Sequence, residues 1–471
     1  MDKTPLDKAG MRTRSIAIVG AGYSGTLLAL QLLDRLPEGG KIRLIGRDAE
    51  FGRGLAYASG QEGMLLNVPA GRMSAFADRP ADFIDWLRSS RGALGAGGSQ
   101  DGGWRSEDFV PRSLYGAYLC DLLTQALAEP VRATKLETIQ AEVRDIEPGG
   151  AGFRLHLDCA DPVEAERVVL ALGNFAPAPP ALDDPWIYDS RFFRANPWML
   201  DLFDGLDAEA PVLLLGTGLT MVDMVMGLLD RGHRGPIHAI SRRGLRPHRH
   251  GGQPGTPYAL GDVPSRLGDL ARFIHREAAR QAAAGRGWQA VIDALRPISQ
   301  PLWQGWSLEE RARFLRHLRP WWDVHRHRIA APVADRLDAA AASGQLHWHA
   351  GRLIRFEPDG GRGVLALYRP RGGCGQVEIP AALVVNATGP LRDFERIRDP
   401  LVEALRRRGW LRADPMHLGI DVGEGGEIYR CDGGESGLIA LGPPTVGRLW
   451  ENVAVPDIRN QIRDLAQRLL P

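Results

Sequence analysis

Two short segments have the glycine spacing needed to hold a pyrophosphate by main-chain atoms alone. They are Gly20-Ala21-Gly22-Tyr23-Ser24-Gly25 and Gly216-Thr217-Gly218-Leu219-Thr220-Met221. In such a turn the first glycine bends the chain and the second lets the backbone approach the phosphates. The third allows the next helix to pack closely on the strand. N–H groups at the start of that helix then face the anion. The first segment fits in full, and Gly20, Gly22, Tyr23, Ser24 and Gly25 frame its site. The second has Met221 in place of the third glycine, which leaves Gly216, Gly218 and Thr220.

The flanking residues supply the elements such turns require. Ser15–Val19 is a short β-branched run, Thr26–Leu36 is helix-patterned, and Ile42–Ile45 reads as the next strand. The second unit repeats the order: strand at Pro211–Leu215, helix through Leu229, strand at Ile237–Ile240. An acid that would bind ribose hydroxyls is expected just after the second strand of the first unit. Gly46 stands there instead, so either Asp48 or Glu50 takes the role or the ribose is held less directly. The second unit ends on Arg242 and Arg243, which suit the 2′-phosphate of NADP, or else decorate a surface turn. Two more buried strands, Val168–Leu172 and Leu383–Asn386, run into small-residue turns at Gly173 and Gly389. In flavoproteins with two dinucleotide sites such turns mark the crossings between domains. The fold class expected is therefore α/β, with two Rossmann-like domains, the NADP domain inserted into the FAD domain, and an added helical segment. The boundaries read as 11–180 and 346–471 for the FAD domain and 181–345 for the insert, whose helical part covers about 244–345.

Bulk properties narrow the class. A chain of 471 residues exceeds one ordinary core. Lys+Arg at 58 against Asp+Glu at 57 offers no general field for nucleic acid or an anionic membrane. The four cysteines are scattered with no Cys-x-x-Cys, against a dithiol centre or a zinc cluster. Met1–Arg14 carries no apolar leader, and no apolar run reaches the length of a membrane span. A cytoplasmic protein without nucleic-acid or membrane partners is expected.

The segments Phe51-Gly52-Arg53-Gly54-Leu55-Ala56-Tyr57-Ala58, Leu65–Phe76, Leu441-Gly442-Pro443-Pro444, Gly447, Trp450-Glu451 and Ile458-Arg459-Asn460-Gln461 are more distinctive than the glycine turns. With them the chain resembles the YdhS-like FAD/NAD(P)-binding oxidoreductases, distant relatives of the class B flavin monooxygenases and N-hydroxylases. The resemblance implies bound FAD reduced by NADPH, with NADH as the alternative. It also implies a monooxygenase that uses O2, through a flavin C4a-peroxide shielded from water, on a small polar substrate such as the amine of an amino acid. Two rivals stay open: an NAD(P)H-dependent flavin reductase or dehydrogenase without oxygen insertion, and a flavin redox sensor read by a partner.

The flavin carries the hard chemistry in such a protein, so its residues position and shield it. Asn67 and Arg72 are candidates for polar contact with the isoalloxazine or substrate, beside Leu66. In the Trp-, His- and Arg-rich stretch, Arg326 and Arg328 suit a carboxylate and His327 suits proton transfer; an ordinary amphipathic helix is the rival reading. Gly442, Pro443 and Trp450 precede a helix from about Pro456, where the fold would close over the flavin. The His-x-His pairs at 248/250, 325/327 and 347/349 have no third ligand motif, so no metal is expected.

Overall fold

A β-branched run stopped by glycine favours an extended, buried strand, and Ser15–Val19 (β1) is one. The computed structural model describes residues 14–58, 63–89, 103–150, 152–251 and 258–470. The first residues, read above as lacking a leader, lie outside these apart from Arg14.

Strand β1 belongs to a six-stranded sheet. Its order is Glu427–Tyr429 (β15), Glu435–Ala440 (β16), Arg167–Leu170 (β7), β1, Lys41–Gly46 (β2) and Leu136–Gln140 (β3). All pairings are parallel except that of β15 with β16. The seven-stranded second sheet runs Val377–Ala381 (β13), Gly363–Pro370 (β12), Leu346–Asp359 (β11), Ile237–Ser241 (β10), Val212–Leu215 (β9), Leu383–Asn386 (β14) and Phe193–Arg194 (β8). A small antiparallel sheet, Val143–Gly149 (β4), Gly152–Leu157 (β5) and Val163–Ala165 (β6), lies beside the first. The first sheet buries both faces: one packs on the helix Tyr23–Leu33 and the C-terminal helix Val455–Leu469, the other on the small sheet and the helix Pro400–Arg407.

One expectation needs correction. The chain does not return to the first sheet at 346. Strand β11 pairs with β10 from Ile237↔Leu346 to Ser241↔Ala350, then turns antiparallel to β12 from Gly351 onward. Residues 346–386 thus extend the second sheet, and the chain rejoins the first only with β15 and β16. Pairing across more than a hundred residues decides sheet membership, and a local glycine turn does not reveal it.

The helix-rich stretch is present. Leu267–Ala283, Gln289–Leu295, Ser299–Gly305, Leu308–His317 and Arg319–Arg326 follow one another, while residues 252–257 of the expected 244–345 segment lie outside those described. Local sequence sets the helix starts. Ser307 accepts from the Glu310 amide while Glu310 reaches back to the Ser307 amide, a reciprocal cap. Trp303, fully buried, centres a cluster that joins these helices to Leu418, Val446 and Trp450 of the C-terminal part. No helix among the described residues is long and apolar enough to cross a membrane.

Candidate functional site

The two glycine turns are built alike. Gly20 (φ +110°) donates its N–H to Ile45 O at 2.8 Å, and Gly216 (φ +120°) donates to Ile240 O at 2.8 Å. A Cβ on Gly20 would stand 2.2 Å from the carbonyl oxygen of Ala171; on Gly216 it would stand 2.3 Å from that of Ala387. The two small-residue strand endings noted in the sequence are therefore the walls on which the glycine turns rest. Gly22 and Gly218 each begin a helix, Tyr23–Leu33 and Leu219–Asp230, and no side chain caps either N-terminus. Bare helix N-termini behind tight glycine turns fit a dinucleotide pyrophosphate. The third glycine is also explained: a Cβ on Gly25 would lie 1.9 Å from Gly20 O.

Gly46 replaces the expected ribose acid for a tertiary reason, because a Cβ there would meet the Ala21 methyl at 2.5 Å. Asp48 and Glu50 are exposed, and Glu50 pairs with Arg53 at 3.2 Å. The Phe51–Gly54 loop is seated directly on the first turn: Gly52 N–H donates to Ala21 O at 2.8 Å. Arg53 in that loop has its Nε buried and without a hydrogen bond, although Glu50 lies in ion-pair range of it at 3.2 Å. It is a candidate phosphate contact that a glycine search does not find.

The C-terminal turn closes over the same place. Gly442 (φ +79°) sits on Ser24, with room of only 2.8 Å between a Cβ and the Ser24 Oγ. Asn452 Nδ2 fixes this turn by donating to Gly442 O (3.3 Å), Thr445 Oγ1 (2.9 Å) and Gln461 Oε1 (2.6 Å). Pro443 starts the short helical turn Pro443–Thr445. Past it, Val446, Trp450, Glu451 and Val453 line a cavity of about 180 Å³ together with Gly218 and Leu219 of the second glycine turn. The stretch 442–453 thus spans both dinucleotide turns.

His327, Arg319, Asp323 and Arg392 also line this cavity. Burial, then the nearby Arg326, Arg392 and Arg319, push the His327 imidazole down to about 3, so it is neutral at physiological pH. Burial and then the Arg319 charge lower Arg392 to about 10, still a cation. Arg319 is paired with Asp323 at 3.4 Å and Glu451 with Arg326, which leaves Arg392 as the lining cation with no carboxylate in ion-pair range among the described residues. Only the spatial arrangement brings Arg319 and Arg392 together.

The other predicted site residues are distributed as follows. Arg326 is paired inside the protein: its Nε bonds Glu451 Oε2 at 3.1 Å, with both groups largely buried. Trp322 Nε1 donates to the other oxygen of Glu451 at 2.6 Å. Arg328 is likewise committed, to Asp293. Burial, outweighing Arg326, raises the Glu451 carboxyl above the usual range. Asn67 offers its carbonyl to His250 Nε2 at 3.0 Å, which ties the 65–76 loop to the second unit. Arg72 is exposed and Leu66 is core. The Tyr23 side chain is also core, its hydroxyl donating to Val455 O at 3.2 Å, so only its main chain faces the turn. Arg242 is exposed, whereas Arg243 donates to His317 O (3.2 Å) and Arg316 O (3.3 Å) at the end of a helix. Thr220 is half-buried at the second position of its helix, and Gly389 (φ +91°) faces open space.

Comparison with known proteins agrees with this geometry. Residues 17–175 match the FAD-NAD(P)-binding family model, and the chain carries that FAD/NAD(P)-binding domain. No curated protein matches the sequence. The fold is similar to that of the Kutzneria sp. 744 ornithine N-hydroxylase (15% identity, 97% of this chain and 99% of that one, TM-score 0.65). It is similar also to the FAD-bound cadaverine monooxygenase of Erwinia amylovora (12%, 98% and 96%, TM-score 0.64). The L-lysine 6-monooxygenase of Pseudomonas syringae aligns comparably (16%, 97% and 100%, TM-score 0.62). The architecture is that of flavoproteins with two dinucleotide-binding domains.

Proposed function

We propose that this chain is an FAD-dependent, NAD(P)H-using monooxygenase. The observation that carries the reading is the 442–453 stretch, which touches Ser24 at the first glycine turn and lines one cavity with Gly218 of the second. A redox enzyme with two dinucleotides needs their reactive ends to meet, and this stretch is the floor they share.

In this reading Gly20, Gly22, Ser24 and Gly25 hold the FAD pyrophosphate, with Arg53 added, and Gly442 and Pro443 cover its other end. Gly216, Gly218, Thr220 and Arg242 hold the nicotinamide nucleotide, with Arg319 and Arg392 on its phosphates. The nicotinamide domain is then the insert bearing the second sheet, from about 181 to 388. Bound FAD supplies the two-electron chemistry. His327, kept neutral, offers one ring N–H as a hydrogen-bond donor and one bare ring nitrogen as an acceptor, and so orients a bound group without bringing another positive charge beside Arg319 and Arg392. Glu451, balanced by Arg326, keeps Trp322 and Trp450 in place as a wall that excludes water. Oxygenation of an amine is the reaction most in keeping with the similar folds. One atom of O2 enters an N–H bond to give the hydroxylamine. The other leaves as water, with the hydride of NADPH and one proton. Cytoplasmic residence, where NADPH is supplied, belongs to the same proposal.

The test is the visible spectrum of the purified protein under anaerobic NADPH, then in air with candidate amines. Bleaching, followed by amine-stimulated oxygen uptake and label from O2 in the product, supports the oxygenase. Bleaching and reoxidation with all oxygen recovered as hydrogen peroxide across an amine panel favours the reductase. No bleaching with either nicotinamide rejects the enzyme.

A further inference from the structure

A second cavity, of about 600 Å³, opens among the helices Leu267–Ala283, Gln289–Leu295, Ser299–Gly305, Leu308–His317 and Arg319–Arg326. Its walls are almost wholly apolar. Trp288, Trp306, Trp321, Trp322 and Trp450 contribute indole surface, and the residues lining it include no Asp, Glu, Lys or Arg. Cores close-pack and leave few voids larger than a water molecule, so a space of this size is not a packing defect. Its volume lies in the range of small-molecule pockets. An apolar cavity with so few hydrogen-bonding groups holds water poorly and takes apolar guests. Its polar lining is limited to His275, His325 and Ser299.

The position is as informative as the lining. Trp450 lines both this cavity and the smaller polar one at Gly218. Trp322, also in the apolar wall, donates its Nε1–H to Glu451, which faces the polar side. One indole and one hydrogen-bonded pair separate the two spaces. Trp450 is held by stacking on Trp303 at 4.6 Å between centroids, and Trp303 Nε1 is itself tied to Gly447 O at 2.8 Å.

We infer that this cavity is a substrate pocket for a molecule with a large apolar body and at most one charged end, presented toward Trp450. The small polar substrate anticipated from the sequence, such as an amino acid, would leave this surface dry and unmatched. The assignment deepens the proposed oxygenase and rests on that reading for the word substrate; the binding itself does not.

The test uses the FAD-loaded protein and decylamine, with L-ornithine as the polar comparison, each titrated against tryptophan fluorescence without nicotinamide. Decylamine should saturate the signal and bind at least a hundredfold more tightly than L-ornithine. Ala271→Trp, which fills the cavity from the helix Leu267–Ala283, should weaken decylamine at least tenfold. Ile274→Trp, checked in parallel for FAD content and thermal midpoint, should do the same and guards against one misfolded variant. Equal binding of the two amines overturns the inference, as does unchanged decylamine affinity in both correctly folded variants. So would a change of oligomeric state in those variants with decylamine binding intact, which would make the face a seat for a second copy. Failure of NADPH to bleach the flavin is a separate result and strikes only the oxidoreductase reading.

Discussion

Arg112 and Asp223 meet at 2.7 Å, the first on the helix Arg112–Ala128 of the FAD side and the second on the helix that leaves the second glycine turn. Both are largely buried, and Arg112 Nε also donates to Leu65 O at 3.2 Å. Burial raises the Asp223 carboxyl despite the opposing arginine. The pair is therefore an ionic contact between the two dinucleotide units, and removing one partner leaves the other charge stranded. Arg112→Met should cost about 3 kcal/mol in denaturant unfolding, and the Arg112→Met/Asp223→Leu double variant should regain most of it. A single-variant cost within about 0.5 kcal/mol of zero would mean that solvent screens the pair.

Gly46→Ala should lower FAD retention, because its methyl would press on Ala21 inside the first turn. The Ala21→Gly/Gly46→Ala double variant should recover flavin absorbance. Gly25→Ala has no such remedy, since the clash is with the Gly20 carbonyl. Equal flavin content in wild type and Gly25→Ala would place the cofactor elsewhere.

The two arginines after β10 separate cleanly into different roles. Arg242→Ala should raise the KM for NADPH about tenfold with little effect on NADH, the loss of one charge-assisted phosphate contact. Arg243→Ala should instead cost about 1 kcal/mol of stability, since it frees two helix-end carbonyls. Steady-state kinetics with both nicotinamides and a melting curve distinguish these outcomes. An unchanged NADPH/NADH ratio in Arg242→Ala removes the 2′-phosphate assignment.

Acid should weaken the fold partly through its histidines. His327 is held at about 3 and His238 at about 4, the latter by burial and then by His349 and His347. Both take up a proton in the unfolded chain below the ordinary value of 6.5, but remain neutral in the native protein until much lower pH. Their stabilisation is thus complete above about pH 6.5 and is lost as pH falls toward 4–3. The slope is at most about 1.4 kcal/mol per pH unit for each. His417, raised by its hydrogen bond to Asp393, opposes this weakly from an exposed position. Urea midpoints measured from pH 7 to about pH 4.5 should fall for the wild type and fall less steeply for His327→Asn. Parallel curves would remove His327 from the account.

Strand, glycine turn and helix were legible at both sites because each signal is local: a β-branched run, a fixed glycine spacing, an apolar periodicity. The helix start at Tyr23 rather than Thr26 is a boundary detail of the same signal. What could not be read is whatever depends on a distant partner. Leu346–Asn386 carried no mark of the second sheet, since only the pairing of Leu346–Ala350 with Ile237–Ser241 and of Leu383–Asn386 with Val212–Leu215 assigns it. Gly46 looked like a lost acid until Ala21 was seen against it. That Arg326 has Glu451 as a partner is likewise visible only in the fold. Trp303 in the core and Trp306 on a cavity wall have the same appearance in sequence, and only packing tells them apart.

The contact of Gly442 with Ser24 has a consequence for the order of events in the cell. The first glycine turn is made well before its cover, which is held by Asn452 and Gln461 far along the chain. A nascent chain therefore presents half a pocket until the helix Val455–Leu469 has left the ribosome and docked on the helix Tyr23–Leu33. Flavin capture would then wait on the docking of that helix. A chain interrupted before that helix would accumulate as a colourless, cofactor-free species exposed to proteolysis.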